Sequence, residues 1–170
     1  MTIIQKVKPF RADADLIVWG MLQLRPARPD EAELLTELCL RSKAVWGYDE
    51  AFMHACRAEL TLTAEDCATP LIQVAAEGDV IAGVVQVTVE GDKADLAKLF
   101  ITPGTIRAGV GRKLFDWAVT TARQRGARWL WIEADPDAAG FYRRMGAIDD
   151  GTAPSGSIPG RILPRLKLRL

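Results

Sequence analysis

Three strand-like runs joined by two tight turns constrain the fold of this 170-residue chain more than any other feature. The segment LIQVAAEGDVIAGVVQVTVEGDKADLAKLFIT, residues 71–102, is interrupted by Gly78-Asp79 and again by Gly91-Asp92. Glycine-containing dipeptides between apolar runs are typical of two-residue turns between antiparallel strands. The segment therefore predicts a three-stranded antiparallel meander.

The patterns on both sides of the meander predict a mixed sheet covered by helices. A short strand at 22–25 and two amphipathic helices at about 31–44 and 49–60 precede it. A helix at about 110–124, a strand at 128–134, a short helix from Asp135 to near Gly146 and an alternating final strand follow it. This order predicts an α/β (α+β) sandwich whose sheet, mixed but mostly antiparallel, has about six to seven strands and about four flanking helices.

Two local details of this assignment can be checked directly. Asp30 is expected to cap the first helix together with Glu33, in an acidic variant of a capping box. The apolar face of that helix is predicted to contain Leu34, Leu35, Leu38 and Cys39. The cluster GTAPSGSIPG, at 151–160, is expected to form a loop.

Composition excludes several classes of protein. The 22 basic and 22 acidic residues cancel, which argues against nucleic-acid binding. No run is apolar enough to span a membrane, and three cysteines without a C-x-x-C pair predict free thiols, no metal site and a cytoplasmic location. Residues 1–20 do not continue the pattern that begins at Leu22, so we expect an N-terminal extension followed by one domain at 21–170.

The stretch IRAGVGRKLF, residues 106–115, places two glycines at the start of a predicted helix. A Walker loop requires a lysine where Val110 stands, and a dinucleotide fingerprint requires a third glycine where Leu114 stands. Backbone N–H groups near Gly109 and Gly111 would nevertheless point toward an anion at the positive end of the helix. The loop is therefore predicted to bind an anion, and the pyrophosphate of an acyl-CoA is the third candidate ligand.

Two longer segments resemble the signature segments of the GNAT N-acetyltransferase superfamily. They are LFITPGTIRAGVGRKLFDWA and, after a strand, EADPDAAGFYRRMGA, and the opening LRPARPDEAELL is similar to that family's first strand and helix. The resemblance covers roughly residues 22–150. This chain has Ile106 where the family has glutamine or arginine, and Asp135 where it has asparagine.

The resemblance implies a GNAT-like fold and transfer of an acetyl group from the cosubstrate acetyl-CoA, without a metal. The acceptor would be a primary amine of a small molecule or an exposed peptide amine, attacking the thioester directly. A non-catalytic acyl-CoA-binding or regulatory module is the alternative, and a nucleotide-binding regulatory protein is a second one. No nucleic-acid or membrane partner is expected, and a homodimer stays open.

The resemblance also implies roles for particular residues. Tyr142 is expected to be the general acid, since a phenol with a pKa of about 10 is protonated at neutral pH. Asp95 is the expected general base, with Glu133, Glu90 or a water relay as alternatives. The predicted cofactor-binding residues are Leu99, Phe100, Ile101, Arg107, Ala108, Gly109, Val110, Gly111, Arg112, Asp135 and Ala138. Trp46, Tyr48 and Phe52 are expected to line an acceptor pocket, together with the loop around Ile158 to Arg161, or, alternatively, to form an aromatic plug between helices.

Overall fold

A seven-stranded mixed sheet between helices forms the part of the chain that the computed structural model describes, residues 21–105 and 109–170. The strands are β1 (Gln23–Pro26), β2 (Ile72–Glu77), β3 (Val80–Glu90), β4 (Lys93–Ile101), β5 (Trp129–Glu133), β6 (Ile148–Pro154) and β7 (Ile162–Arg169). The α-helices are α1 (Ala32–Ala44), α2 (Glu50–Leu60), α3 (Ala64–Cys67), α4 (Val110–Gln124) and α5 (Ala139–Arg144). The predicted sandwich is confirmed.

The strand order is β1-β2-β3-β4-β5-β7-β6, and every neighbouring pair is antiparallel except β4 with β5. The predicted meander is confirmed as β2, β3 and β4. Its turns begin at Gly78 and Gly91, with φ angles of 57° and 60°. Glycine adopts this left-handed conformation without steric cost, which explains why the turns occur at these dipeptides.

Helices cover the two faces of the sheet through separate apolar clusters. On one face, α1 and α2 pack on β2 and β3. On the other face, α4 buries Leu114, Phe115, Ala118 and Ala122. Gly83 of β3 permits this close approach, because a Cβ there would lie 2.9 Å from both the Leu114 Cδ1 atom and the Phe100 carbonyl oxygen.

The start of α1 differs from the sequence prediction. A 3-10 turn at Pro29–Glu31 precedes the helix, so Asp30 is not its N-cap. The Glu31 carboxylate accepts a hydrogen bond from the Arg28 backbone N–H at 2.9 Å and is held by the Arg25 guanidinium at 2.6 and 2.9 Å. Leu34 is 43% exposed and is not part of the buried face, because the sheet contacts only one side of α1.

Three further segments correct the sequence prediction. The short helix α3 was not predicted, and α5 begins at Ala139, after a turn, rather than at Asp135. The first part of the expected 151–160 loop belongs to β6, an edge strand that pairs only with β7 and whose register is irregular between Asp149 and Thr152. Its sequence IDDGTAP lacks apolar alternation, so its strand conformation depends on pairing with β7 rather than on local preference.

Candidate active site

The parallel strands β4 and β5 pair only at their beginnings and then separate. Their pairing runs from Lys93–Trp129 to Asp95–Trp131, although β4 continues to Ile101. Just beyond this point Gln86 pairs with Lys98 and Val87 with Leu96, so that Ala97 is an additional residue on β4. Such a bulge bends its strand. Among the described strands, none therefore pairs with the second half of β4 on the β5 side.

A cavity of about 470 Å³ opens where the two strands separate. Its walls come from 96–101 on β4, from 132–135 at the end of β5, and from helices on both faces of the sheet. Residues of α1 and α2, including Ser42, Lys43 and Glu59, line one end, and Gly111 of α4 with Phe141 and Tyr142 of α5 line the other. The cavity thus passes through the sheet, so that two ligands approaching from opposite faces can meet inside it.

Backbone donors lie along the open edge of β4. The Thr102 N–H donates to the Ala82 carbonyl on the β3 side at 2.8 Å. Because successive N–H groups of a strand point to opposite sides, those of Ile101 and Leu99 point toward the open edge. The Ile101 N–H donates there to Ser42 Oγ at 3.3 Å. This edge can bind the amide or carbonyl groups of an extended ligand.

The first turn of α4 closes one side of the cavity. Gly109 precedes the helix with a φ of 77°, and Gly111 lies against the Phe141 ring, which a Cβ would approach to 3.5 Å. Val110 is fully buried in the core, and Arg112 is exposed beside Asp116. Among the predicted loop residues that the structure describes, Gly111 is therefore the one that lines the cavity. Arg107 and Ala108 lie outside the described residues.

Tyr142 reaches the cavity from α5. Its ring is buried against Phe115 and Phe141, with ring centroids 5.7 and 5.1 Å away. No other described residue hydrogen-bonds its hydroxyl group, and burial raises the pKa of this phenol well above its ordinary value. A protonated hydroxyl group that no described residue hydrogen-bonds is thus available to a ligand. Leu99, Phe100, Ile101, Asp135 and Ala138 also line the cavity.

The carboxylates that are candidates for the general base lie at different distances from the cavity. Asp95 is exposed and belongs to the last residue pair before β4 and β5 separate, one residue before the cavity lining begins. Partial desolvation raises the pKa of its carboxyl group. Glu133 lines the cavity, as does Glu59 of α2, which sequence reasoning did not single out. Glu90 pairs with Lys93 at the far end of β4 and is not part of the lining.

The expected acceptor aromatics divide into two groups. Trp46 lines the cavity, whereas Tyr48 and Phe52 stack on each other with ring centroids 3.9 Å apart and do not line it. The Tyr48 hydroxyl donates to Asp135 Oδ2 at 2.8 Å, and Lys43 and Arg161 reach the same oxygen. Sequence reasoning missed Ser42 and Lys43, which carry no local pattern, whereas Arg161 belongs to the loop that it expected beside the acceptor pocket.

Two further observations concern residues 21–105 and 109–170. No helix there is long and apolar enough to cross a membrane. No cluster of three or more histidine, cysteine, aspartate or glutamate side chains there could hold a metal ion. The three cysteines are buried and free, as predicted.

Comparison with known proteins agrees with this geometry. Streptothricin acetyltransferase from Streptomyces lavendulae is 34% identical over 98 residues, which cover 50% of this chain and 51% of that protein. The chain thus spans about half the length of this curated relative. PaiA N-acetyltransferase from Thermoplasma acidophilum, solved in complex with coenzyme A, has a TM-score of 0.73 at 16% identity, over 88% of this chain and 99% of that one. At this identity the likeness shows the fold alone.

A second solved structure, nourseothricin acetyltransferase, has a TM-score of 0.53 at 29% identity over 58% of this chain and 64% of that one. A family model, described as the acetyltransferase (GNAT) family, matches residues 32–147. That match covers more than half of the sequence, and the chain therefore belongs to the acetyltransferase (GNAT) family.

Proposed function

We propose that this protein transfers the acetyl group of acetyl-CoA to a primary amine of a small molecule or an exposed peptide amine. The cavity that passes through the sheet is the observation that carries the proposal, because it lets a cosubstrate and an acceptor meet from opposite faces. In a direct attack, the N–C bond forms as the C–S bond breaks. The amine loses a proton, and the departing sulfur gains one.

The residues around one end of the cavity fit an acyl-CoA. The Leu99 N–H group offers a donor to an extended pantetheine chain, as does the Ile101 N–H where the ligand displaces Ser42 Oγ. Gly111 leaves room where a side chain would narrow the wall. The solved PaiA relative holds coenzyme A. When bound, acetyl-CoA supplies the activated thioester. We propose that Phe100, Ala138 and the segment 107–112 also bind the cofactor, since backbone N–H groups at the start of α4 favour phosphate.

Tyr142 holds the proton that the departing sulfur needs. Burial keeps its hydroxyl group protonated at neutral pH, and no acceptor among the described residues takes that proton, which is therefore free to be donated. Asp95 is proposed to accept the amine proton through water, since it lies just outside the lined stretch of β4. Glu133 is the alternative base, because it lines the cavity itself.

The acceptor is proposed to enter from the end formed by α1 and α2, past Lys43 and Trp46. Two relatives are named for streptothricin and nourseothricin acetylation. Streptothricin is therefore the first acceptor to test, followed by a panel of simple primary amines and peptides.

Tyr142→Phe tests the proposed mechanism. We expect kcat to fall about 10²- to 10⁴-fold, the usual contribution of general acid catalysis. The dissociation constant for acetyl-CoA and the unfolding temperature should stay within error, because the hydroxyl group makes no hydrogen bond with any part of the chain that the structure describes. Tyr48→Phe, the same chemical change at the other tyrosine, should leave kcat much less affected. A Tyr142→Phe enzyme with unchanged kcat would show that another group protonates the sulfur.

Ligand-induced stabilisation separates the competing functions. A ligand present at one hundred times its dissociation constant stabilises the folded state by about 2.7 kcal/mol, a shift of several degrees. We expect this shift with acetyl-CoA and with CoA, and not with NAD. Binding without turnover of any amine would instead support the non-catalytic module. A shift with ATP alone would support the nucleotide-binding alternative.

A further inference from the structure

We propose that Asp135 is a positioning residue of the acceptor site, whose carboxylate ties together two loops beside the cavity. These are the α1–α2 loop (45–49) and the β6–β7 loop (155–161). The proposal rests on the proposed function, since it assigns how the acceptor end of the same cavity is held. It differs from the role that the signature segment implied, which was contact with the cofactor.

Three side chains from different elements converge on one oxygen atom of Asp135. The Tyr48 hydroxyl donates to Oδ2 at 2.8 Å, and the Arg161 Nη2 and Lys43 Nζ atoms lie 3.3 and 3.7 Å from it. Arg161 also donates to the Tyr48 hydroxyl oxygen. Asp135, Lys43 and Arg161 are 11%, 14% and 16% exposed, so water screens these contacts only weakly. One carboxylate thus connects both loops to the end of β5.

The neighbouring aromatic rings do not replace this carboxylate. Arg161 lies 5.0 and 4.8 Å from the Tyr48 and Phe52 ring centroids, and Lys43 lies 5.7 and 5.8 Å from them. Nearly equal distances to two stacked rings place each cation beside the pair rather than over one ring face. The edge of an aromatic ring carries partial positive charge and does not attract a cation. The negative charge that holds both cations is therefore that of Asp135.

The contacts of Lys43 and Arg161 depend on the negative charge of the ionised Asp135 carboxylate. Within the described ranges, neither Lys43 nor Arg161 forms an ion pair with another carboxylate. An asparagine at this position could accept the Tyr48 hydrogen bond, but it would leave two poorly screened cations facing each other. Their repulsion would release Arg161, and with it the β6–β7 loop.

Tyrosine NMR tests the convergence directly, because the chain contains two tyrosines, Tyr48 and Tyr142. Partial burial and the Asp135 carboxylate raise the pKa of Tyr48 to about 12, while Arg161 opposes the rise. In protein labelled at the tyrosine ¹³Cζ atoms, we expect Asp135→Asn to shift the Tyr48 signal and lower its titration midpoint. The Tyr142 signal should not move. The charges facing Tyr48 from the packed elements are Asp135, Arg161 and Lys43.

Asp137→Asn is the matched control for this experiment. Asp137 lies two residues away, is exposed, and forms no ion pair with another described residue, yet its substitution removes the same charge. Both tyrosine signals should be unchanged in this variant. A Tyr48 signal that is also unchanged in Asp135→Asn, or that moves equally in Asp137→Asn, would overturn the proposal.

Amide hydrogen exchange follows the β6–β7 loop. The Ser155 N–H donates to the Arg161 carbonyl at 2.8 Å, and the Arg161 N–H donates to the Ile158 carbonyl at 3.2 Å. We expect these two amides to exchange about tenfold faster in Asp135→Asn, as the loss of a hydrogen bond to a charged group predicts. If Asp135→Asn does not fold, Tyr48→Phe replaces it in this experiment, and exchange of the same two amides should again become faster. Unchanged exchange in the folded variants would contradict the proposal.

Kinetics separates the acceptor end from the cofactor end. With streptothricin as acceptor, KM should rise about tenfold in Asp135→Asn, while the dissociation constant for acetyl-CoA changes less than about twofold. A weakened affinity for acetyl-CoA with unchanged KM would return Asp135 to the cofactor site. If wild-type protein binds no acetyl-CoA, the proposed function fails, and the tyrosine signals and loop exchange still decide the role of Asp135.

Discussion

Replacing Gly111 by alanine should separate fold stability from cofactor binding. Gly111 is the second residue of α4, and its φ angle lies outside the left-handed region. A Cβ there would lie 3.5 and 3.6 Å from two Phe141 ring carbons and 3.8 Å from Ile101 Cδ1, which are ordinary contacts. Alanine loses less conformational entropy than glycine in a helix, by roughly 0.5–1 kcal/mol. We therefore expect unfolding at an unchanged or slightly higher temperature, by at most about 4 °C.

Cofactor binding, in contrast, should become weaker in the Gly111→Ala variant. The added methyl group would lie against Phe141 and Ile101, which line the cavity together with Gly111, and would narrow the wall at that point. Overfilling a well-packed site costs about 1–3 kcal/mol. The dissociation constant for acetyl-CoA should consequently rise about fivefold to more than a hundredfold. Isothermal calorimetry and thermal unfolding of the same samples measure both effects. An alanine variant that binds acetyl-CoA normally, or that unfolds several degrees earlier, would refute this reasoning.

Two further substitutions test the fold. Gly83→Ala should lower the free energy of unfolding by about 1–3 kcal/mol, because its methyl group would lie 2.9 Å from the Phe100 carbonyl oxygen; an unchanged denaturation midpoint would contradict this. Burial would raise the pKa of Glu31, but hydrogen bonds from Arg25 and Arg28 outweigh it and hold that pKa below its usual value. This stabilisation is complete above the ordinary glutamate pKa and is lost as the pH falls through the lowered one. Glu31→Gln should therefore cost about 1.5–3 kcal/mol at neutral pH and less in acid, measured by urea denaturation; an equal loss at both pH values would disprove the linkage.

The meander and α4 could be predicted because local sequence determines them. Gly78 and Gly91 fix the two turns, and the apolar spacing along α4 matches the face that it buries. The strand β6 could not be predicted in this way, because the pairing partner that stabilises it is β7, which follows it in sequence.

The candidate site divides along the same line. Gly111 and Tyr142 belong to contiguous segments whose pattern can be read, and both line the cavity. Lys43 and Arg161 meet Asp135 only because three elements from distant parts of the chain fold together. The exposed side chain of Leu34 shows the same limit of sequence prediction. Apolar spacing identifies one side of a helix, but it does not show which residues on that side the sheet contacts.

The early separation of β4 and β5 has a consequence for cooperativity. Only three residue pairs of the described sheet join β4 to β5. The described sheet is therefore two half-sheets, β1–β4 and β5–β7–β6, held together by this short ladder and by the helices packed on it. A ligand bonded along the free edge of β4 takes the place of the missing part of that ladder. Its binding energy then opposes the opening of one half-sheet away from the other, and protection gained on binding should extend into β7, well beyond the atoms the ligand touches.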